Sequence, residues 1–383
     1  MTERVYLQDP YVTTFRARVV ELRELDGKPA AILDKSAFYP EGGGQPGDRG
    51  VLGAAKVLDT QEQGGEILHL LDRPLGLGSV IDAQVDWQRR FDHMQQHHGQ
   101  HLLSAAFETV GLQTISFHLG ERSCTIDLDS PPDLVKAKTA ETRANESIWR
   151  DLPIVARDFV GEERSKLPLR KEAVKGDRVV LVEGVDASPC GGTHPKRTGE
   201  VGCVSILKVQ RWGDGKSRVE FVCGARVVSM LAEANALLTA ASEVLKTGPA
   251  DLTAAVTRVA AEAQARRKQA EGLLTELAQH EAARLKAPLV VTRIERGAAF
   301  ARTIAQTLSQ QGSTVLLGAV EEGRGHLIFA RPKGAPGPAM GALLKESLVL
   351  LNGKGGGNPD FAQGSGEPGK LDEALALARS KLV

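Results

Sequence analysis

The sequence predicts an α+β protein of successive units: an N-terminal β-barrel, an α+β domain, a helical hairpin and a closing α/β domain. Three observations carry that prediction. Short segments of alternating apolar and polar residues, separated by Gly, Pro and Asp, fill positions 1–85. From 226 to 286 the pattern changes to Ala, Leu and charge at steps of three and four, the helical period. Beyond 287, strand-like and helix-like runs alternate again.

A chain of 383 residues is long enough for several domains, each with its own core. Its 48 Lys and Arg balance 48 Asp and Glu, so the overall basic footprint of a nucleic-acid binder is missing and any such contact must come from local patches. There is no run of eighteen apolar residues, and Met1-Thr2-Glu3-Arg4-Val5 has neither the basic start nor the apolar core of a signal peptide; the expected location is the cytoplasm. The 4 cysteines show no CxxC spacing, which argues against a disulfide framework. Cys124, Cys203 and Cys223 read as small buried hydrophobes. Cys190 has a ligand-like setting.

In the first unit, 1–85, segments 15–22 and 29–33 flank the turn Asp26-Gly27, and 51–59, 65–71 and 80–85 continue as strands of a small barrel or strongly curved sheet. The stretch 38–50, with five glycines and two prolines, is a backbone able to approach a ligand closely, and Gln45 and Asp48 add polar handles. On composition it also fits a long surface loop. It is no P-loop, since no Gly-Lys-Ser/Thr follows.

In the second unit, 86–225, His97 and His101 lie four apart in a segment whose apolar positions Met94, Leu102, Ala105, Ala106 and Val110 follow helical spacing. Both imidazoles therefore project from one helix face. About ninety residues on, Ser188-Pro189-Cys190-Gly191-Gly192-Thr193-His194-Pro195 reads as a tight loop bearing a thiol and a third imidazole. Three imidazoles and a thiolate without a local carboxylate form a nitrogen and sulfur set that favours zinc. His98 points about 100° away from its neighbours on the helix and is left out of that set. Strands at 114–120, 123–128, 154–160, 178–182, 201–210 and 217–223, with a helix at 132–150 entered through a proline, complete the unit.

In the third unit, 226–286, Val227, Leu231, Ala234, Leu238, Ala241 and Leu245 form one seam; Gly248-Pro249 breaks it; Leu252, Val256, Val259, Ala263, Ala270, Leu273 and Leu277 resume it. Two helices follow, pairing within the chain or across a homodimer. The fourth unit, 287–383, offers strands at 289–294, 315–319 and 326–330 and helices at 298–310, 339–351 and 371–382. Between the last two, 352–366 is dense in glycine, reading either as an anion nest beside Lys354 or as a flexible linker.

HxxxH followed by C-G-G-T-H resembles the zinc site of the editing domain of alanyl-tRNA synthetases and of AlaX-type alanyl-tRNA editing proteins. Phe38-Tyr39-Pro40-Glu41-Gly42-Gly43-Gly44-Gln45 with Asp48 and Gly50 resembles the signature at the start of that domain. Ser116-Phe117-His118-Leu119-Gly120 resembles its S-F-H-x-G, which lies at the floor of the amino-acid pocket. Gly353-Lys354-Gly355-Gly356-Gly357 with Pro359-Asp360 and Ala362-Gln363 resembles the DHHA1-type domain, whose family role is tRNA binding and dimerisation. One departure is His98, where the family usually has threonine.

The resemblance implies a trans-acting deacylase that hydrolyses the ester of mischarged tRNA(Ala), with serine first and glycine second. A pocket that hydrogen-bonds a serine hydroxyl discriminates far better than one that measures size alone. The resemblance places zinc (Zn2+) on His97, His101, Cys190 and His194, and offers Gln45, Ser116, His118 and Thr193 for the substrate pocket. For tRNA it offers Lys354, Gly355, Gly356 and Gly357, with the clusters Lys208, Arg211, Lys216 and Arg218, and Lys166, Arg170, Lys171, Lys175 and Arg178. The aminoacylation domain of the synthetases has no counterpart here, so removal rather than attachment of the amino acid is expected. Two other readings stand beside it: a non-catalytic tRNA-binding protein with a structural zinc, and a zinc hydrolase of another small ester or amide. A zinc peptidase is disfavoured because no glutamate follows the first histidine.

Overall fold

The computed structural model describes residues 2–171, 177–213 and 215–382, and divides them into two compact units meeting between Thr239 and Ala240. Lys175 lies outside the described residues.

The N-terminal unit begins with strands β1 (Thr14–Leu25), β2 (Lys28–Leu33), β3 (Gly50–Leu52), β4 (Ala55–Gln63), β5 (Glu66–Leu71) and β6 (Val80–Val85). They pair in the order β1-β2-β5-β4-β3-β6 and β6 returns to β1, so the sheet closes on itself. Alternation sorts the faces: Ala17 and Val19 point inward and are buried, while Arg16 and Arg18 point out. Inside, Leu33, Phe38, Leu52, Leu71 and Val85 share one core.

Helix α1 (Trp87–Glu108) follows, capped by the Asp86 side chain, which accepts from the Arg89 N–H. Every residue from His93 to Phe107 is buried, three histidines, three glutamines and a serine among those after His93. So many polar groups inside a helix demand partners, and finding them builds the site. Strands β7 (Thr114–Leu119), β8 (Cys124–Leu128), β12 (Val204–Trp212) and β13 (Lys216–Cys223) form an antiparallel sheet in the order β12-β13-β8-β7, and β9 (Val155–Asp158), β10 (Arg178–Val182) and β11 (Asp186–Pro189) form a second. One face of the larger sheet packs under α1 and α2 (Leu134–Trp149) through Leu103, Phe107, Ile126, Ala140, Ala144, Val219 and Phe221. α2 starts at Leu134, two residues later than the sequence puts it, and its cap is Asp133, which accepts from the Lys136 N–H.

The 1–85 and 86–225 segments that the sequence separates fold as parts of this one unit. A fully buried ion pair ties them. Arg90 of α1 donates through Nε to Asp48 Oδ2 at 2.9 Å, and the same oxygen accepts from the Tyr39 N–H at 2.6 Å.

Helix α3 (Ala225–Leu245) is long and apolar enough to cross a membrane by length and composition alone, with Val228, Leu237 and Val244 exposed. Helix α4 (Leu252–Leu285) follows the break at Gly248-Pro249. Both helices are where the sequence puts them, and Leu231 and Leu238 on α3, and Val256, Val259, Leu273 and Leu277 on α4, are exposed.

The C-terminal unit carries a five-stranded sheet, β14 (Leu289–Ile294), β15 (Thr314–Glu321), β16 (Arg324–Ala330), β17 (Lys354–Gly357) and β18 (Phe361–Gly366), ordered β14-β15-β16-β18-β17. Only β14 and β15 run parallel, and α5 (Gly297–Gln310) makes the crossover between them. α5 covers one face, while α6 (Met340–Val349) and α7 (Leu371–Ser380) cover the other. The glycine-rich stretch is neither nest nor linker: 354–357 and 361–366 are two paired strands, and none of these glycines has a positive φ. The reason is packing. A Cβ on Gly355 or Gly364 would come within 2.8 or 2.4 Å of Leu348 Cδ1 on α6, so glycine lets the helix lie close.

Candidate metal centre and its supports

His97, His101, Cys190 and His194 come together as the sequence predicts, their ligand atoms all within 4.8 Å of one another. Cys190 Sγ lies 3.3 Å from Nε2 of His97 and 3.3 Å from Nε2 of His194. A tetrahedral zinc site with Zn–N of about 2.1 Å and Zn–S of about 2.3 Å spaces its ligands roughly 3.3–3.8 Å apart, so the donors suit zinc in number and kind, and the two sulfur–nitrogen distances fall at the short end of that range. The thiol is primed as a ligand: burial would push it up, but the charges of His97 and His194 and hydrogen bonds from His101 and His194 hold it well below the usual thiol range.

Each imidazole turns one nitrogen to the cluster and has the other held from behind. Gln45 Oε1 lies 2.8 Å from His97 Nδ1, Asp186 Oδ2 lies 3.0 Å from His101 Nδ1, and His98 Nδ1 lies 3.2 Å from His194 Nδ1. Such partners fix the tautomer and aim of a metal-binding imidazole. In the last pair one nitrogen must carry the proton. His98 is fully buried and its Nε2 has no partner among the described residues, and burial followed by the neighbouring imidazoles pushes its pKa far down, so it serves as a neutral support. Asp186 also accepts from Arg170 Nε at 2.7 Å; burial works to raise its carboxyl, but His101 and then Arg170 bring it below its ordinary value. His101 in turn is raised to about 9, burial being outweighed by its bonds to Asp186 and Cys190.

Loop chemistry delivers the parts. Gly43 (φ 55°) and Gly44 (φ 81°) form a tight turn closed by reciprocal backbone bonds between Gly42 and Gln45, which drives the Gln45 side chain inward. A Cβ on Gly44 would sit 2.7 Å from the Phe117 ring, and one on Gly192 would sit 2.2 Å from His97 Cε1. Arg178 Nη1 donates to the carbonyls of Cys190 (2.6 Å) and Gly192 (2.9 Å), latching the cysteine loop. The rings of Phe117 and His97 are 6.0 Å apart, so Gly43-Gly44, Phe117 and the exposed Gly191 border the metal cluster.

Two of the expected pocket residues are spent otherwise, and two face away. Gln45 and Thr193 are fully buried; Gln45 Nε2 donates to Thr193 Oγ1 at 2.8 Å, and Gln45 Oε1 accepts from the Thr193 N–H at 3.2 Å as well as bonding His97. They hold the ligands rather than waiting for a serine hydroxyl. Because strand side chains alternate, Phe117 facing His97 sends Ser116 and His118 to the opposite, exposed face of the sheet. There Ser116 Oγ donates to Asp127 Oδ2 at 2.6 Å, and Arg218 grips the same carboxylate while stacking 3.5 Å over Trp212. Lys208 sits opposite Glu220 on that face, and Arg211 is exposed opposite Ser217. Sequence reasoning missed Asp186 altogether and gave His98 no support role; neither belongs to a spacing pattern that would have flagged it.

The matches to known families agree with this anatomy. Residues 178–220 match the Threonyl and Alanyl tRNA synthetase second additional domain, and residues 287–383 match the DHHA1 domain. Together they mark a protein of the alanyl-tRNA synthetase lineage. The chain is 32% identical to an alanyl-tRNA editing protein, AlaX-L, of Pyrococcus horikoshii, covering 100% of this chain and 98% of that one. It is also 32% identical to the alanyl-tRNA editing protein Aarsd1 of Rattus norvegicus, over 87% of this chain and 83% of the relative. Against an alanine–tRNA ligase of Methanoregula boonei it is 32% identical across 100% of its own length but only 43% of the ligase. The chain belongs to the alanyl-tRNA editing protein family.

Proposed function

We propose that this protein is an aminoacyl-tRNA hydrolase that cleaves the ester of mischarged tRNA(Ala) in the cytoplasm, with Ser-tRNA(Ala) its main substrate and Gly-tRNA(Ala) its second. One observation carries the reading: four zinc-type donors within 4.8 Å, each imidazole buttressed from behind, in a chain whose full-length relatives are named for alanyl-tRNA editing. Zinc is the metal that this donor set suits, and when bound it supplies positive charge beside the ester carbonyl. The chain's own part is orientation. Gln45, Asp186 and His98 hold the three imidazoles, and Gly43 and Gly191, where a Cβ would meet nothing within 4 Å, leave room for an acylated ribose to come close.

A panel of Ser-, Gly- and Ala-tRNA(Ala) tests it. Rapid loss of the seryl ester, slower loss of the glycyl ester and a spared alanyl ester are expected; survival of all three esters rules out the enzyme. The closed set of four protein donors favours one rival, a tRNA-binding protein whose zinc is purely structural. That rival predicts binding without hydrolysis in the same panel. The exposed apolar positions of α4 further support a homodimer, which sedimentation would detect.

A further inference from the structure

The loop that carries Cys190 and His194 leaves β11 at Pro189, which lies opposite Val179 of β10, so strand pairing sets Arg178 beside Cys190. The two residues then clasp each other from both sides. The Cys190 N–H donates to the Arg178 carbonyl at 3.3 Å, and Arg178 Nη1 donates back to the carbonyls of Cys190 at 2.6 Å and of Gly192 at 2.9 Å. A guanidinium that bridges these two carbonyls fixes the peptide planes on either side of Gly191, and inside that short arch the Gly192 N–H donates to Cys190 Sγ at 3.4 Å. The approach needs glycine, since a Cβ on residue 192 would stand 2.2 Å from His97 Cε1. The sequence resemblance offers Arg178 to tRNA, yet its Nε is buried without a hydrogen-bond partner, and it has no carboxylate ion-pair partner among the described residues. Burial pulls its pKa down, and the Cys190 thiolate is the first charge to oppose that pull.

We infer that Arg178 is a positioning residue for the sulfur ligand: by clamping the carbonyls of Cys190 and Gly192 it aims the Gly192 N–H at Cys190 Sγ, and hydrogen bond and guanidinium charge together draw electron density off the thiolate. Gln45, Asp186 and His98 support the three imidazoles; Arg178 and the Gly192 N–H are the corresponding support for sulfur. Of the four donors the thiolate alone brings a full negative charge, so withdrawal of density has its largest effect there. The inference rests on the deacylase reading only for what this achieves, a bound zinc left more positive beside the ester carbonyl.

The test uses the full-length protein with cobalt(II) in place of zinc, because the sulfur-to-metal charge-transfer absorption reports the electron density on the thiolate. At saturating cobalt, Arg178→Met is expected to move that band to longer wavelength, since a sulfur stripped of its donors gives up an electron more easily. Arg178→Lys keeps a cation with several N–H donors on one atom and is expected to fall between Arg178→Met and the parent. Zinc affinity in Arg178→Met is expected to drop by about 10- to 100-fold. A parental band in saturated Arg178→Met overturns the inference even where affinity drops, because a latch that only shapes the loop would weaken binding and leave the sulfur unchanged. Should Arg178→Met not fold, the parent decides: loaded with NMR-active cadmium, it is expected to show a scalar coupling from the metal through sulfur to the Gly192 amide proton, and absence of that coupling overturns the inference. A band that shifts as expected in a protein that hydrolyses none of the three esters sinks the deacylase reading alone.

Discussion

Gln45 shows how a residue's neighbours decide its role. An exposed glutamine in a glycine loop would be free to read a substrate hydroxyl; this one is buried, with its carbonyl shared between His97 and the Thr193 N–H. Gln45→Ala and Asp186→Asn are each expected to lower zinc affinity by about 10- to 100-fold, measured by competition with a chromophoric chelator. Unchanged affinity in Gln45→Ala would return that side chain to the substrate. Cys190→Ala removes a first ligand and should abolish both stoichiometric zinc and deacylation; a fully metallated, active variant contradicts the site. Ser116→Ala and His118→Ala, on the far face of β7, should keep zinc content and hold the deacylation rate within about threefold of the parent. A much larger loss would mean that the substrate reaches round the sheet.

At the scale of elements, α1 is the part on which the site depends. Partners for its glutamines stabilise its buried run: Gln96 bonds both backbone groups of Cys223, at 2.9 Å to the carbonyl and 2.8 Å from the N–H, and Gln100 bonds Ser104 at 2.8 Å. Gly99, between the ligand histidines, lets the helix touch β13, since a Cβ there would stand 2.2 Å from Cys223 Sγ. Gly99→Ala should therefore destabilise the fold by about 1–3 kcal/mol through overpacking, read from a denaturant midpoint, and should weaken zinc binding as α1 is displaced. Arg90→Met leaves Asp48 buried without its partner, and a loss of about 3–5 kcal/mol is expected from the same measurement. A neutral result in either variant would show that α1 has slack against its neighbours.

The whole molecule divides into a unit that holds the His/Cys cluster and a unit built on the five-stranded sheet, each with its own core. A chain ending at Thr239 is expected to unfold cooperatively and bind one equivalent of zinc, while its affinity for tRNA falls by about tenfold or more. Undiminished tRNA affinity would remove the C-terminal unit from substrate binding, and loss of zinc would show that the units are not independent.

Hydrophobic period, turn residues and ligand spacing are local properties, so most strands and helices and all four members of the His/Cys cluster are legible in the sequence alone. His97 and His101 share a helix face by their spacing, and Cys190 and His194 share one loop. What the other polar residues do depended on contacts between distant segments. Ser116 and Phe117 are neighbours in sequence, yet the pleat sends one toward Asp127 and the other toward His97. The glycines at 355 and 364 look like a loop until Leu348 explains them. Gln45, His98 and Asp186 became supports only when three separate pieces of chain were folded around one cluster, because a hydrogen bond across 52, 85 or 96 residues leaves no periodic trace in the sequence.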